Sequence, residues 1–438
     1  MNESRADTPK AGKNALQLRD PDHPSALSRR DFLAATAGAL GVGLWPQGGR
    51  VLTHPSMEPA GASLIRPLRQ EPFDCGPSAL AGRVERGVPG LAPQGPWPGR
   101  WQRLTPLDRQ QGILTPNGLC FTHAPSGIPE LDARAHRLSI QGLVQRPLLL
   151  SLAELARMPA VRRPYFLECA ANGACSPSSE IPDMTVAESH GRIHCCMYTG
   201  VPLRLLLERA GVDPRARWMV ARGADGDQRA CALPLTACLE EGILAFAQNG
   251  KALCAEQGYP LRLVLPGLPG CFWVKWLREL ELCERPPAGA LPASIDMDEW
   301  PAVASPPLMA VKSVITFPAP GSVLDRPGPY PVRGFAWSGR GRILKVELSA
   351  DGGRSWHAAR LVEPILPKCL TRFEAMWEWD GRPAVLISRA LDESGALQPT
   401  LHELHAVDKG LGFRCHNGQQ PWLVDRLGQV RALSQLEI

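Results

Sequence analysis

The 438-residue chain is 44% hydrophobic with a formal net charge of +5, long enough for two or three domains with real cores. Its Lys and Arg residues are interspersed with Asp and Glu, and the absence of a basic run or aromatic-interleaved stripe excludes nucleic acid as an expected partner. Gly (42) and Pro (44) recur without a period, which argues against a helical bundle and for a loop-rich, partly β protein.

In chain order, Ser28-Arg29-Arg30-Asp31-Phe32-Leu33 precedes a mildly apolar stretch rich in Ala and Gly, the twin-arginine export pattern. The stretch is too short for a membrane span. Residues 1–50 are therefore read as a signal region and the protein as periplasmic, with no stable membrane span. Residues 51–103, rich in Pro and Gly, read as a linker.

From 104 to 290 strand-like and helix-like segments alternate. A strand is predicted at 137–144 and a short helix at 151–158, with Ser151 as N-cap and Glu154 at the capping-box position. A second helix at 202–210 places Leu203, Leu206 and Leu207 on one face. Strands follow at 261–265, closed by Pro266-Gly267, and at 273–282. This is an α+β domain.

Pro286, Pro287, Pro292, Pro301, Pro306 and Pro307 then mark a boundary, with 291–306 as the linker. Over 307–438 short β-like runs at 311–317, 330–337, 343–349 and 384–390 alternate with turn signals such as Ser338-Gly339 and Asp351-Gly352-Gly353. That spacing predicts an immunoglobulin-like β-sandwich.

Thirteen cysteines are many and odd in number, so disulfides alone leave at least one thiol over. No C-x-x-C-H marks covalent haem. The sharpest local feature is an apolar run, Tyr165-Phe-Leu, entering Glu168-Cys169-Ala-Ala-Asn172-Gly173. A thiol at the start of a loop of small residues is held firmly while something bulky approaches the backbone. On these residues alone a structural buried cysteine, a nucleophile and a zinc ligand (with His194, Cys195 and Cys196 nearby) all remain open, although vicinal cysteines rarely both ligate one ion. The second feature places Arg262 before a Pro/Gly turn and Lys275 after it. Two cations around a glycine loop form an anion cradle, or else a solvated pair beside a hairpin.

Together, Gly118-Leu-Cys-Phe121, Glu168-Cys-Ala-Ala-Asn172, Tyr198-Thr-Gly-Val-Pro-Leu203, Glu256-Gln-Gly-Tyr-Pro-Leu-Arg262 and Val274-Lys-Trp-Leu277 resemble the sulfite oxidase superfamily. Val311-Lys-Ser-Val-Ile-Thr316 and Ser349-Ala-Asp-Gly-Gly-Arg-Ser-Trp356 extend the likeness to nearly all of the chain after 104, and the sulfane dehydrogenase branch is the most similar. The resemblance implies a molybdenum held by a pyranopterin dithiolene and one protein thiolate, at the position of Cys169. It also implies that Phe121, Thr122, His123, Ala124, Pro125, Asp225, Arg262, Trp273, Val274 and Lys275 surround the pterin and its phosphate. The implied chemistry is two-electron oxo transfer on a sulfur substrate, with electrons passing to a c-type cytochrome, acceptor or subunit. A sulfur-carrier protein is an implied partner, and the C-terminal domain implies a homodimer or heteromer.

Three places depart from the family pattern, seven residues in all. His123, Ala124 and Pro125 stand where an Arg, an Asn or His, and a His are usual. Asp296 lies where a substrate-side tyrosine is expected, and is assigned to the catalytic set. Gly173, Ala174 and Cys175 replace a substrate arginine. An acidic Asp296 would repel free sulfite, so the expected substrate is sulfur on a carrier or an organic sulfur. The rival readings are a cofactor-free scaffold of the same fold and a secreted, disulfide-stabilised binding protein with Cys169 paired.

Overall fold

Strands dominate the computed structural model, which describes residues 101–173, 184–225, 230–287, 289–290, 308–407 and 416–433. These residues all fall in one compact unit, Ala62–Ile438. The twin-arginine segment around Arg29 and Arg30, most of the 51–103 linker, Ala174, Cys175 and Asp296 lie outside the described residues. Among the described residues, no helix is long and apolar enough to cross a membrane.

The two predicted helices form because their ends are satisfied locally. Ser151 Oγ accepts from the Glu154 amide at 3.2 Å while Glu154 Oε2 accepts from the Ser151 amide at 2.8 Å, starting Leu152–Ala156. Leu203–Ala210 starts after Pro202 and ends at Gly211 in the left-handed region (φ 68°). Its Leu203, Leu206 and Leu207 are all buried, as the spacing predicts.

The first half holds two five-stranded sheets. In one, Arg137–Gly142 pairs with Leu148–Ser151 and, in parallel, with Leu277–Cys283; Trp218–Gly223 and Ala230–Pro234 continue the order. In the other, Val161–Glu168 pairs with Ile193–Pro202, which pairs with Ile243–Gln248; Arg262–Val264 and Lys251–Ala252 both pair with the latter. The strand expected at 273–282 begins only at Leu277. Residues 273–276 leave the sheet because Trp276 is left-handed (φ 52°) and its indole donates to the Ala255 carbonyl at 2.8 Å.

The second half is two antiparallel sheets around one core. One orders Lys312–Phe317, Gly328–Trp337, Thr371–Trp379 and Arg360–Val362. The other orders His357–Ala358, Ile343–Ser349, Ala384–Asp392, Trp422–Val424 and Val430–Ala432.

Alternation along Val161–Glu168 joins the halves. Tyr165 and Leu167 enter the first core, whereas Phe166 packs with Val314, Trp337 and Phe373 of the second. The same rule splits the vicinal pair on the neighbouring strand. Cys196 faces the first core and Cys195 the second, where it meets Cys369.

Candidate active site

Cys169 follows directly on Val161–Glu168 and is half-buried. Its amide donates to the Arg192 carbonyl at 2.9 Å and its carbonyl accepts from the Asn172 amide at 2.9 Å, so a tight turn fixes the thiol. Burial pushes the thiol pKa up, opposed by the Ala171 amide and the charges of Arg192 and Lys312. The thiolate thus needs an electrophilic partner to form readily. No described cysteine is in a disulfide, which removes the paired state of Cys169 within these residues.

Beneath the turn lies a buried polar cluster that the sequence did not reveal. Glu168 is 0% exposed. Its Oε1 accepts from Lys312 Nζ at 2.6 Å and Asn172 Nδ2 at 2.9 Å, and its Oε2 from Trp337 Nε1 at 2.8 Å. Lys312 Nζ also donates to the Asn172 carbonyl at 2.9 Å. Lys312 and Trp337 come from the second half, so the turn bearing Cys169 is held from both halves.

The structure brings Arg262 and Lys275 near one another, Arg262 at the start of a strand and Lys275 in the residues that leave the sheet, with Arg103 and Gln257 added to them. Arg262 is 2% exposed and donates to the Gln257 carbonyl at 3.0 Å and the Trp273 carbonyl at 3.5 Å, while its Nε has no partner. It lies against the Tyr198 and Trp273 rings, 6.0 and 5.9 Å from their centroids. None of these contacts is a carboxylate, and a buried charge left so needs an anion. Lys275 Nζ donates to the His123 carbonyl at 2.9 Å and the Glu256 carbonyl at 3.2 Å. Arg103 Nε donates to the Cys120 carbonyl at 3.1 Å, and its NH2 group pairs with Glu256 Oε1 at 3.2 Å.

The strand Thr122–Ala124 is pinned to these cations. Gln257 Nε2 donates to the Phe121 carbonyl at 3.0 Å and to Thr122 Oγ1 at 2.9 Å. His123 is exposed at this strand and Pro125 just beyond it, while Ala124 is buried, so the cradle meets this segment largely through its backbone. Val274 accepts from the Leu263 amide at 2.8 Å, closing the Arg262 turn. Asp225 Oδ1 and the Lys275 carbonyl both lie 2.6 Å from where a Cβ on Gly223 would stand. The same loop reaches the thiol turn, since a Cβ on Gly270 would stand 3.1 Å from the Glu168 carbonyl.

Burial and Arg262 hold Lys275 down to about 7, despite Asp225 and Glu256. An anion at the cradle would favour the charged lysine, so its binding should take up a proton above neutrality and weaken as pH rises through about 7. Calorimetry of the apo chain with inorganic phosphate, in buffers of different ionisation enthalpy, should show this uptake, and Lys275→Met should abolish it. Without an anion the sign for stability is the reverse. A lowered lysine pKa means the unfolded chain binds more protons, so apo stability should rise as pH climbs above about 7.

Sequence reasoning missed Arg103, Gln257, Lys312 and Trp337. Gln257 and Lys312 stood inside segments that carry the family resemblance, but without a role assigned to either.

Residues 125–291 match the oxidoreductase molybdopterin binding domain family and residues 307–411 the Mo-co oxidoreductase dimerisation domain family. Sulfite oxidase of Gallus gallus is 32% identical over 317 residues, covering 66% of this chain and 68% of that protein. The NADH nitrate reductase of Ulva prolifera is 27% identical over 333 residues, but only 38% of its length is spanned. Among solved structures, the sulfane dehydrogenase SoxCD from Paracoccus pantotrophus superposes with a TM-score of 0.72 at 36% identity, covering 84% of this chain and 97% of that one. An identity of 32% to a sulfite oxidase covered over two thirds of its length, on a fold shared with a sulfane dehydrogenase, shows that this chain belongs to the sulfite oxidase family of molybdopterin oxidoreductases.

Proposed function

We propose that the protein is a molybdenum-dependent dehydrogenase of sulfur substrates, acting on sulfane sulfur carried by a protein in preference to free sulfite. The observation that carries this reading is the half-buried Cys169 thiol beside a loop whose buried Arg262 has no carboxylate partner. Soft thiolate and an unneutralised cation are what a dithiolene-bound molybdenum with a phosphate tail requires. Cys169 would hold the metal; Arg262, Lys275, Asp225, Trp273, Val274 and the backbone of Phe121, Thr122, His123, Ala124 and Pro125 would hold the pterin. When bound, that group supplies two-electron oxo-transfer chemistry to a sulfur lone pair. The chain's own part is to fix the thiol through its turn, keep the phosphate charge balanced, and hold the Lys275 proton in place.

Asp296, read as lying beside the substrate, would discriminate against a dianion, while the charges of Arg192 and Lys312 act on the Cys169 thiol. In this reading the protein is exported through the twin-arginine route to the periplasm and passes electrons to a c-type cytochrome. Its C-terminal half, of immunoglobulin type, supports a homodimer or heteromer, and a sulfur-carrier protein presents the substrate.

The test is elemental analysis and turnover of protein made in a cofactor-competent host. About one molybdenum per chain, with sulfane-bearing carrier oxidised faster than free sulfite, is the expected result. Faster turnover of free sulfite would overturn the substrate assignment. Well-folded protein that takes up no molybdenum would favour the cofactor-free scaffold.

A further inference from the structure

Strand alternation separates Cys195 from Cys196 and brings Cys196 instead to Cys120, which lies 76 residues away in sequence. Their sulfurs are 3.3 Å apart and both side chains are 0% exposed. His194, on the same strand and the same face as Cys196, is 1% exposed. One donor atom from each of the three residues falls within 4.8 Å of the others.

The sulfurs meet both acceptors and donors: Cys120 Sγ lies 3.4 Å from the Pro116 carbonyl and Cys196 Sγ 3.6 Å from the Thr115 carbonyl. Gln248 Nε2 points at Cys120 Sγ (3.5 Å) and Asn249 Nδ2 at Cys196 Sγ (3.6 Å), donors that stabilise sulfur as an acceptor. His194 Nε2 is engaged with the Tyr198 hydroxyl at 3.0 Å, which leaves Nδ1. The Phe121 backbone acts on this ring, yet Nδ1 makes no hydrogen bond of ordinary geometry. The Gln248 Oε1 oxygen, in a residue 1% exposed, has no partner either. A buried ring nitrogen and a buried amide oxygen without ordinary hydrogen-bond partners call for an explanation.

We propose that Cys120, His194 and Cys196 form a structural zinc site, with Gln248 Oε1 as the fourth donor. Two thiolates neutralise a divalent ion, so the occupied site carries no net charge into the core. Tetrahedral ligation at zinc–sulfur distances of about 2.3 Å sets the sulfurs roughly 3.8 Å apart. A small opening of the present pair reaches that. Binding displaces the two thiol protons to solvent and involves no redox step. A disulfide instead requires an oxidant to reach sulfurs that are fully buried. A surface cavity of about 260 Å³ is lined by Thr115 and Asn249, which also contact Cys196, and by none of the proposed ligands.

The ion would brace Cys120, the residue immediately before the pterin segment, against the strand Ile193–Pro202. Zinc content of the full-length protein, grown in zinc-replete medium, decides the matter. About one zinc per chain is expected, falling below roughly a tenth in Cys120→Ser/Cys196→Ser and unchanged in Cys169→Ser. Growth with cobalt in place of zinc should give a sulfur-to-cobalt charge-transfer band in the wild type, a readout that survives if the double variant fails to fold. Wild-type protein without zinc or cobalt would overturn the proposal, whether Cys120 and Cys196 then titrate as free thiols or are found disulfide-linked by mass. Zinc retained in a folded double variant would overturn it equally.

Discussion

Replacing Cys169 by serine is expected to reduce molybdenum-dependent turnover by more than about a hundredfold, since even removal of an outer-shell partner costs ten- to a hundredfold. The reason lies in donor chemistry. A serine hydroxyl does not ionise in the working range, and it offers a hard oxygen where a soft sulfur stood. The turn itself should survive, because it is made by the Cys169 amide to Arg192, the Asn172 amide to Cys169, and the Asn172 side chain to Glu168. None of these uses the sulfur. Unfolding free energy should therefore move by no more than about 1 kcal/mol. Turnover within a few-fold of wild type, or loss of activity only through unfolding, would remove Cys169 from the site.

Lys312→Met should cost about 3–5 kcal/mol of stability, the scale found when one partner of a buried ion pair is deleted. Lys312 and Glu168 are 1% and 0% exposed and 2.6 Å apart. Without the ammonium, Glu168 keeps only the neutral Asn172 amide and Trp337 indole as donors. The double variant Glu168→Gln/Lys312→Met removes both charges and should recover most of the loss. Denaturant unfolding of the single variants and the double variant closes the cycle. A purely additive cycle would show that the pair is not coupled. Because Asn172 and Glu168 flank Cys169, the single variant should also retain less molybdenum than wild type under mild denaturant. The second half of the chain would then matter to the metal ligand as well as to assembly.

The sequence by itself determined whatever is encoded within a few residues. The Ser151 and Glu154 box, the apolar face of Leu203, Leu206 and Leu207, and the strand running into Cys169 are all local patterns. Each rests on a backbone group or a face whose partner is close in the chain. Arg262 was legible in the same way, as a cation on a short strand before a Pro/Gly turn, whereas Lys275 falls in the residues that leave the sheet.

Only the tertiary structure decided which distant side chains meet. Residues 273–276 look extended in sequence but leave the sheet because the Trp276 indole is claimed by Ala255. Cys195 and Cys196 look like a pair, but a pleated strand sends neighbours to opposite faces, so each meets a cysteine from elsewhere. Glu168 and Lys312 are 144 residues apart, and neither has a flanking pattern that names the other. Burial makes such contacts strong, because desolvated charges and orphan donors tolerate few arrangements. Periodicity reports only which face a residue occupies; the partner across that face is set by how the two halves pack.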